Sequence, residues 1–182
     1  MSAIQPPSNP LWWKEPIEKV ELTWILIAFV WSLFLFFMMP YWHVFGNQNL
    51  ANEAYRNTPE KYTVKVQEMV DKYKVREETD QKIPVVKPPP GGDVFLIARL
   101  WQWWPILELE AGQTYRLHLM SMDWLHGFSL QPENINIEVH PNYEHVLTLQ
   151  PTKAGTYSII CNEYCGLNHH TMVSKLYVTE KK

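Results

Sequence analysis

The sequence predicts an all-β sandwich or barrel carried on one N-terminal transmembrane helix. Two observations predict that class: 18 residues at 22–39 that are apolar except for Thr23 and Ser32, and a change from helical to alternating periodicity after residue 93. A third observation places the chemistry. The loop CNEYCGLNHHTM at 161–172 holds both cysteines of the chain, with a histidine and a methionine close behind, between the last two expected strands.

Composition agrees with this class. At 182 residues and 46% hydrophobic content, the chain accommodates one ordinary domain with a real core and an appendage. Nine Trp and nine Tyr are many for this length, and both residue types gather where apolar surface meets water. A net charge of -3 with no basic patch excludes nucleic acid as a partner. Residues 93–182 carry nine Asp and Glu against six Lys and Arg, whereas residues 1–92 balance ten against ten. The C-terminal part is therefore mildly acidic and favours a basic partner.

Residues 1–21 form a polar, proline-bearing tail that has no pattern able to bury a core. The run at 22–39 follows. At about 1.5 Å per residue it spans roughly 27 Å, near the thickness of a bilayer core. It exceeds the apolar region of a cleaved signal peptide, and no small-x-small site precedes Pro40, so it is expected to remain as an anchor. Trp12 and Trp13 before the run, and Tyr41 and Trp42 after it, match the two aromatic belts of a membrane helix. Flanking Lys and Arg counts are nearly equal and do not orient it.

Residues 40–92 are expected to link anchor and domain. Thr58, Pro59 and Glu60 make a helix start, and Tyr62, Val66, Met69, Val70 and Tyr73 recur at helical spacing. The expectation is an amphipathic helix over 59–76, lying either against a partner subunit or the membrane, or on its own domain. The stretch PVVKPPPGGD at 84–93 is stiffened by prolines and ended by glycines, and marks the expected boundary of a domain at 93–182. Strands are expected at 94–98, 114–120, 135–139, 146–149, 156–161 and 173–178, punctuated by turns at Gly112, Asn142 and Gly155. Short strands with such turns imply a β-sandwich or barrel.

Cys161, Cys165, His169 and Met172 form a soft-ligand set, which selects copper. A lone structural disulfide is the rival for the cysteines, but the neighbouring His and Met favour ligation. Three ligand arrangements compete. A structural zinc site does not ordinarily use a thioether. A blue-copper site needs one Cys, which leaves the second surplus. Two cysteines can instead bridge two coppers if another histidine arrives from elsewhere. His126, in DWLHGF and followed by the permissive Gly127, is the best placed. His43, His118, His140, His145 and His170 have no partner at ligand spacing and are expected to be structural or at the surface.

The loop at 161–172 resembles the dinuclear copper A loop, C-x-E-x-C-x3-H-x2-M, of subunit II of the haem-copper cytochrome c oxidases. Asp123 to His126 resemble that family's D-x-x-H segment, residues 134–139 its following strand, and Trp101, Gln102, Trp103 and Trp104 its aromatic cluster. The resemblance covers residues 94–178. It implies a cupredoxin-like domain in which Cys161 and Cys165 bridge two coppers, with His126 and Met172 completing one and His169 and the Glu163 carbonyl the other. It also implies that the Glu163 carboxylate helps bind magnesium at the interface with subunit I. Electrons from cytochrome c or a similar small carrier would enter near Trp103 or Trp104. Asp123 would orient His126 through its other ring nitrogen.

A single anchor, rather than two, is similar to the B-type oxidases. The long 43–92 segment is expected to dock an additional small subunit. The implied protein is a single-pass subunit of the cytoplasmic membrane, with its copper domain on the outer, periplasmic face and subunit I as partner. A copper A subunit of a nitric oxide reductase is one alternative. A non-catalytic anchored binding module, stabilised by a metal or a disulfide, is the alternative of another class.

Overall fold

A computed structural model describes residues 11–14, 16–46, 52–78, 81–131 and 133–181. Most of the expected N-terminal tail, residues 1–10 and Glu15, and the start of the expected linker at 47–51 lie outside the described residues. The chain divides into two compact units, Met1–Asn47 and Gln48–Lys182.

The first unit is dominated by helix α1, Lys19–Phe45, which is long and apolar enough to cross a membrane and buries none of its residues. It is longer than the apolar run at both ends. The Glu21 carboxylate accepts a hydrogen bond from the Glu18 N–H at its start (3.0 Å), and the Gly46 N–H closes its last turn on the Trp42 carbonyl (2.9 Å). Pro40 lies inside the helix, so Tyr41 and Trp42 belong to its final turns rather than to the chain beyond it. Proline removes one N–H from the ladder but already holds a helical φ, and the helix continues past it.

The second unit contains strand β1 (Asn52–Arg56), helix α2 (Pro59–Tyr73), and strands β2 (Lys74–Glu78), β3 (Ile83–Val86), β4 (Asp93–Arg99), β5 (Gln102–Trp104) and β6 (Ile106–Glu110). It continues with β7 (Tyr115–Ser121), β8 (His126–Leu130), β9 (Ile135–Val139), β10 (Tyr143–Leu149), β11 (Gly155–Cys161) and β12 (Val173–Thr179). Among the described residues, these strands form a five-stranded sheet, β1-β10-β7-β4-β5, and a seven-stranded sheet, β2-β3-β6-β12-β11-β8-β9. The pairs β4 with β7, β3 with β6 and β6 with β12 are parallel, and the others are antiparallel. Val94, Leu96, Leu117 and Leu119 from the first sheet meet Leu107, Leu109, Phe128, Leu130 and Leu176 from the second in one core.

Residues 52–86 are not a connection outside the domain. β1 pairs with β10 along its whole length, and β3 lies parallel to β6. The stretch expected as a stiff linker therefore begins with a sheet strand, because Val85 and Val86 are fully buried. α2 starts as expected, with the Thr58 hydroxyl accepting from the Lys61 N–H and proline at the first position. It ends at Tyr73, three residues before the expected end, where the Lys87 N–H bonds the Tyr73 carbonyl and Lys74 opens β2. Of the two placements left open for this helix, the structure shows packing on its own domain. Tyr62 and Val66 are fully buried, and the Tyr62 O–H is shared between the carbonyls of Leu96 (3.1 Å) and His118 (2.8 Å).

Candidate metal centre

The site forms where β8 and β11 lie side by side. The register pairs Cys161 with Phe128, which sets His126, at the start of β8, beside the end of β11. The chain then makes the loop and returns along β12, and the Cys161 N–H bonds the Met172 carbonyl (3.1 Å), closing the loop at its base. Inside, the His169 N–H bonds Gly166 O (3.1 Å) and the Met172 N–H bonds His169 O (3.1 Å), a short 3-10 turn at His169–Thr171. That turn brings an imidazole and a thioether back toward the cysteines.

Both thiols are free and buried, with their sulfurs 3.7 Å apart. The donor atoms ring them. His126 Nδ1 lies 3.8 Å and the Glu163 carbonyl 3.2 Å from Cys161 Sγ. His169 Nδ1 lies 3.6 Å and Met172 Sδ 3.8 Å from Cys165 Sγ. Metal–thiolate bonds of roughly 2.3 Å from each sulfur span the gap between them. His126, Cys165 and Met172 have no exposed surface, whereas Glu163 and His169 are half-buried. Two thiols, two imidazole nitrogens, a thioether and a carbonyl form the donor set of a soft metal, and the residues present fit copper.

Burial pushes the Cys165 thiol up to about 12, and the neighbouring Cys161 and Asp123 add to the effect. A metal entering here must displace that proton, so loading is favoured by rising pH. Asp123 fixes His126: its Oδ1 lies 2.7 Å from His126 Nε2, leaving Nδ1 to face Cys161. The same carboxylate accepts from the Trp124 N–H (2.7 Å) and the Leu100 N–H (2.7 Å). Gly127 has a steric reason beyond the flexibility expected of it. A Cβ there would stand 2.1 Å from Asn162 Oδ1 and 2.7 Å from the Glu163 nitrogen.

The structure thus brings together His126, Cys161, the Glu163 carbonyl, Cys165, His169 and Met172, with Asp123 behind them. Glu163 also lines a polar pocket of about 240 Å³ with Gly127, Asn136, Glu138 and Asn162. The two tryptophans expected where electrons enter part company. Trp103 is 1% exposed, its ring edge-on to both Phe128 (5.5 Å between centroids) and His126 (6.4 Å), so it is no surface point. Trp104 is half-buried, with the Arg99 guanidinium over its ring at 5.8 Å. Trp101, placed by the sequence only within the aromatic cluster, donates its indole N–H to the Cys165 carbonyl (3.2 Å).

Of the other histidines, His118 sits between Glu144 (2.7 Å) and Asp93 (3.2 Å), and the rings of His140 and His145 lie 5.8 Å apart.

Comparison with known proteins gives a consistent set of relatives. No protein-family model matches the chain. It is 34% identical over 118 residues to cytochrome c oxidase subunit 2 of Thermus thermophilus, a match covering 62% of this chain and 87% of that one. It is also 34% identical over 74 residues to a probable cytochrome c oxidase subunit 2 of Streptomyces coelicolor, covering 41% of this chain and 23% of the relative. Among solved structures, a chain of a haem-copper terminal oxidase dimer superposes with a TM-score of 0.56 at 19% identity, covering 88% of this chain and all of that one. That last likeness is one of fold.

Proposed function

Because the chain belongs to the cytochrome c oxidase subunit 2 family, we propose that its ligand loop holds a dinuclear copper A centre that relays single electrons to haem in a partner subunit. The family makes the chain a subunit of a haem-copper oxidase with a cupredoxin-like domain. The finer assignment rests on one observation: two free, buried sulfurs 3.7 Å apart, each with an imidazole nitrogen and one further donor, a carbonyl or a thioether, within 3.8 Å. When bound, a copper pair stores one electron shared across both metals.

The rest of the work falls to the protein. Cys161 and Cys165 would hold the pair through their sulfurs, His126, Met172, His169 and the Glu163 carbonyl would supply the remaining ligands, and Asp123 would hold the His126 tautomer. A site held by a strand end, a closed loop base and a short turn changes little when its charge changes, which is what a fast electron carrier needs. Of the tryptophans, we assign the receiving surface to Trp104, with Trp103 packed inward against His126. The donor is cytochrome c or a similar small carrier. The Glu163 carboxylate, outside the copper set, is assigned to magnesium at the boundary with subunit I. Helix α1 anchors the chain in the cytoplasmic membrane, and the copper domain faces the periplasm.

The test is metal content and spin resonance of the purified complex. Two coppers per chain with a seven-line hyperfine pattern are expected. Zinc in their place, or a disulfide between Cys161 and Cys165 in the active protein, would overturn the assignment.

A further inference from the structure

The ligands come from two separate stretches, residues 126 and 161–172, and one turn touches both. It is the two-residue connection between β4 and β5, Leu100 and Trp101, set by the pairing of Arg99 with Gln102. Its backbone is tied to the first stretch: the Leu100 N–H donates to Asp123 Oδ2 (2.7 Å), and Asp123 Oδ1 holds His126 Nε2 (2.7 Å). Its side chain is tied to the second. The Trp101 indole N–H donates to the Cys165 carbonyl (3.2 Å), and the ring lies against Gly166, where a Cβ would meet it at 3.6 Å. Gly166 has φ +111, a conformation side chains rarely adopt, so the peptide between Cys165 and Gly166 is turned to present that carbonyl to the indole.

We propose that Trp101 is a positioning residue for the metal site: its indole N–H fixes the Cys165 peptide and so the sulfur-to-sulfur spacing, while the turn that carries it fixes His126 through Asp123. This rests on the copper reading for its function, but its geometry stands without metal. Free sulfurs at 3.7 Å must close to about 2.05 Å to form a disulfide, and a pinned Cys165 peptide resists that closure.

Trp101→Phe keeps most of the ring and removes the N–H, and Trp42→Phe, at an exposed tryptophan of α1, serves as control. In the full, copper-loaded chain, Trp101→Phe is expected to alter the hyperfine pattern and visible bands. It is also expected to speed copper loss to a chelator about tenfold, the usual scale for losing an outer partner of a ligand. In the metal-free chain, diamide, which takes up the two thiol protons and two electrons, is expected to close the disulfide between Cys161 and Cys165 faster than in the unmodified chain. The expected gain is about three- to tenfold, the worth of one net hydrogen bond.

Unchanged spectra, copper loss and closure rate in Trp101→Phe would overturn the proposal even where the unmodified chain holds its copper pair. An unmodified chain that binds no copper pair would instead remove the functional reading and leave the closure rate to decide the positioning role. Should Trp101→Phe not accumulate, hydrogen exchange at the Trp101 indole of the unmodified chain decides. Slow exchange supports the bond, and exchange as fast as at the exposed Trp124 overturns it.

Discussion

Gly127 shows how little slack a single position leaves near the metal loop. Its Gly127→Ala variant places a methyl group 2.1 Å from Asn162 Oδ1 and 2.7 Å from the Glu163 backbone, so the loop must move. A loss of roughly 1–3 kcal/mol is expected from the overpacking, seen as a lower unfolding midpoint together with reduced copper content. Met172→Leu is expected to act differently. Met172 is fully buried against Cys165, and a leucine of similar volume fills the space without the sulfur. Both coppers should remain, with a shifted potential and slower electron transfer; kinetics identical to the unmodified protein would remove Met172 from the ligand set. The loop ligands were readable in the sequence because four soft residues crowd within 12 positions. Even His126, 35 positions away, stood out through its place before Gly127 in DWLHGF, and the family resemblance added its Asp-x-x-His spacing. Trp101 did not stand out. It lies 64 positions from Cys165, and its acceptor is a backbone carbonyl, which no residue identity displays.

At the scale of elements, α2 is what the sequence described best and placed least. Its cap and apolar stripe were explicit, but an apolar stripe does not say which surface it meets. Tyr62→Phe removes an O–H shared by two buried carbonyls and should cost about 1 kcal/mol. The copper spectrum should be unaffected, since the helix packs on the sheet away from the ligands. Beneath the same helix, Glu144 joins α2 to the sheet. Burial raises its carboxyl pKa, but the Asn57 amide, the His118 ring and the Lys65 ammonium outweigh burial and hold it below the ordinary 4.5. A lowered carboxyl stabilises the fold fully above its ordinary value, and that contribution is lost as pH falls through the lower, folded-state value. Denaturant midpoints should therefore drop on acidification below about 4.5, and Glu144→Gln should flatten that limb. Strands β1 and β2 escaped the sequence reading for a physical reason. Both lie at sheet edges, where NEAYR and KVREE carry charge rather than an alternating apolar face.

For the whole molecule, the division into two compact units gives a prediction of its own. Removing residues 1–46 should leave a water-soluble domain that still takes up copper, while the full chain sediments with membranes; metal analysis of both fractions checks it. The strand order carries a further consequence, for the sequence of folding events. β12 occupies the centre of the seven-stranded sheet, with β2, β3 and β6 on one side and β11, β8 and β9 on the other. Every strand it separates is synthesised before it, so the sheet has a gap at its middle until β12 inserts. The ligand loop is the segment that leads into β12, and its base is closed by the bond between Cys161 and Met172. Such long-range pairing is slow relative to local structure. Metal capture is therefore expected to be a late event, timed by the same strand insertion that joins the two halves of the sheet.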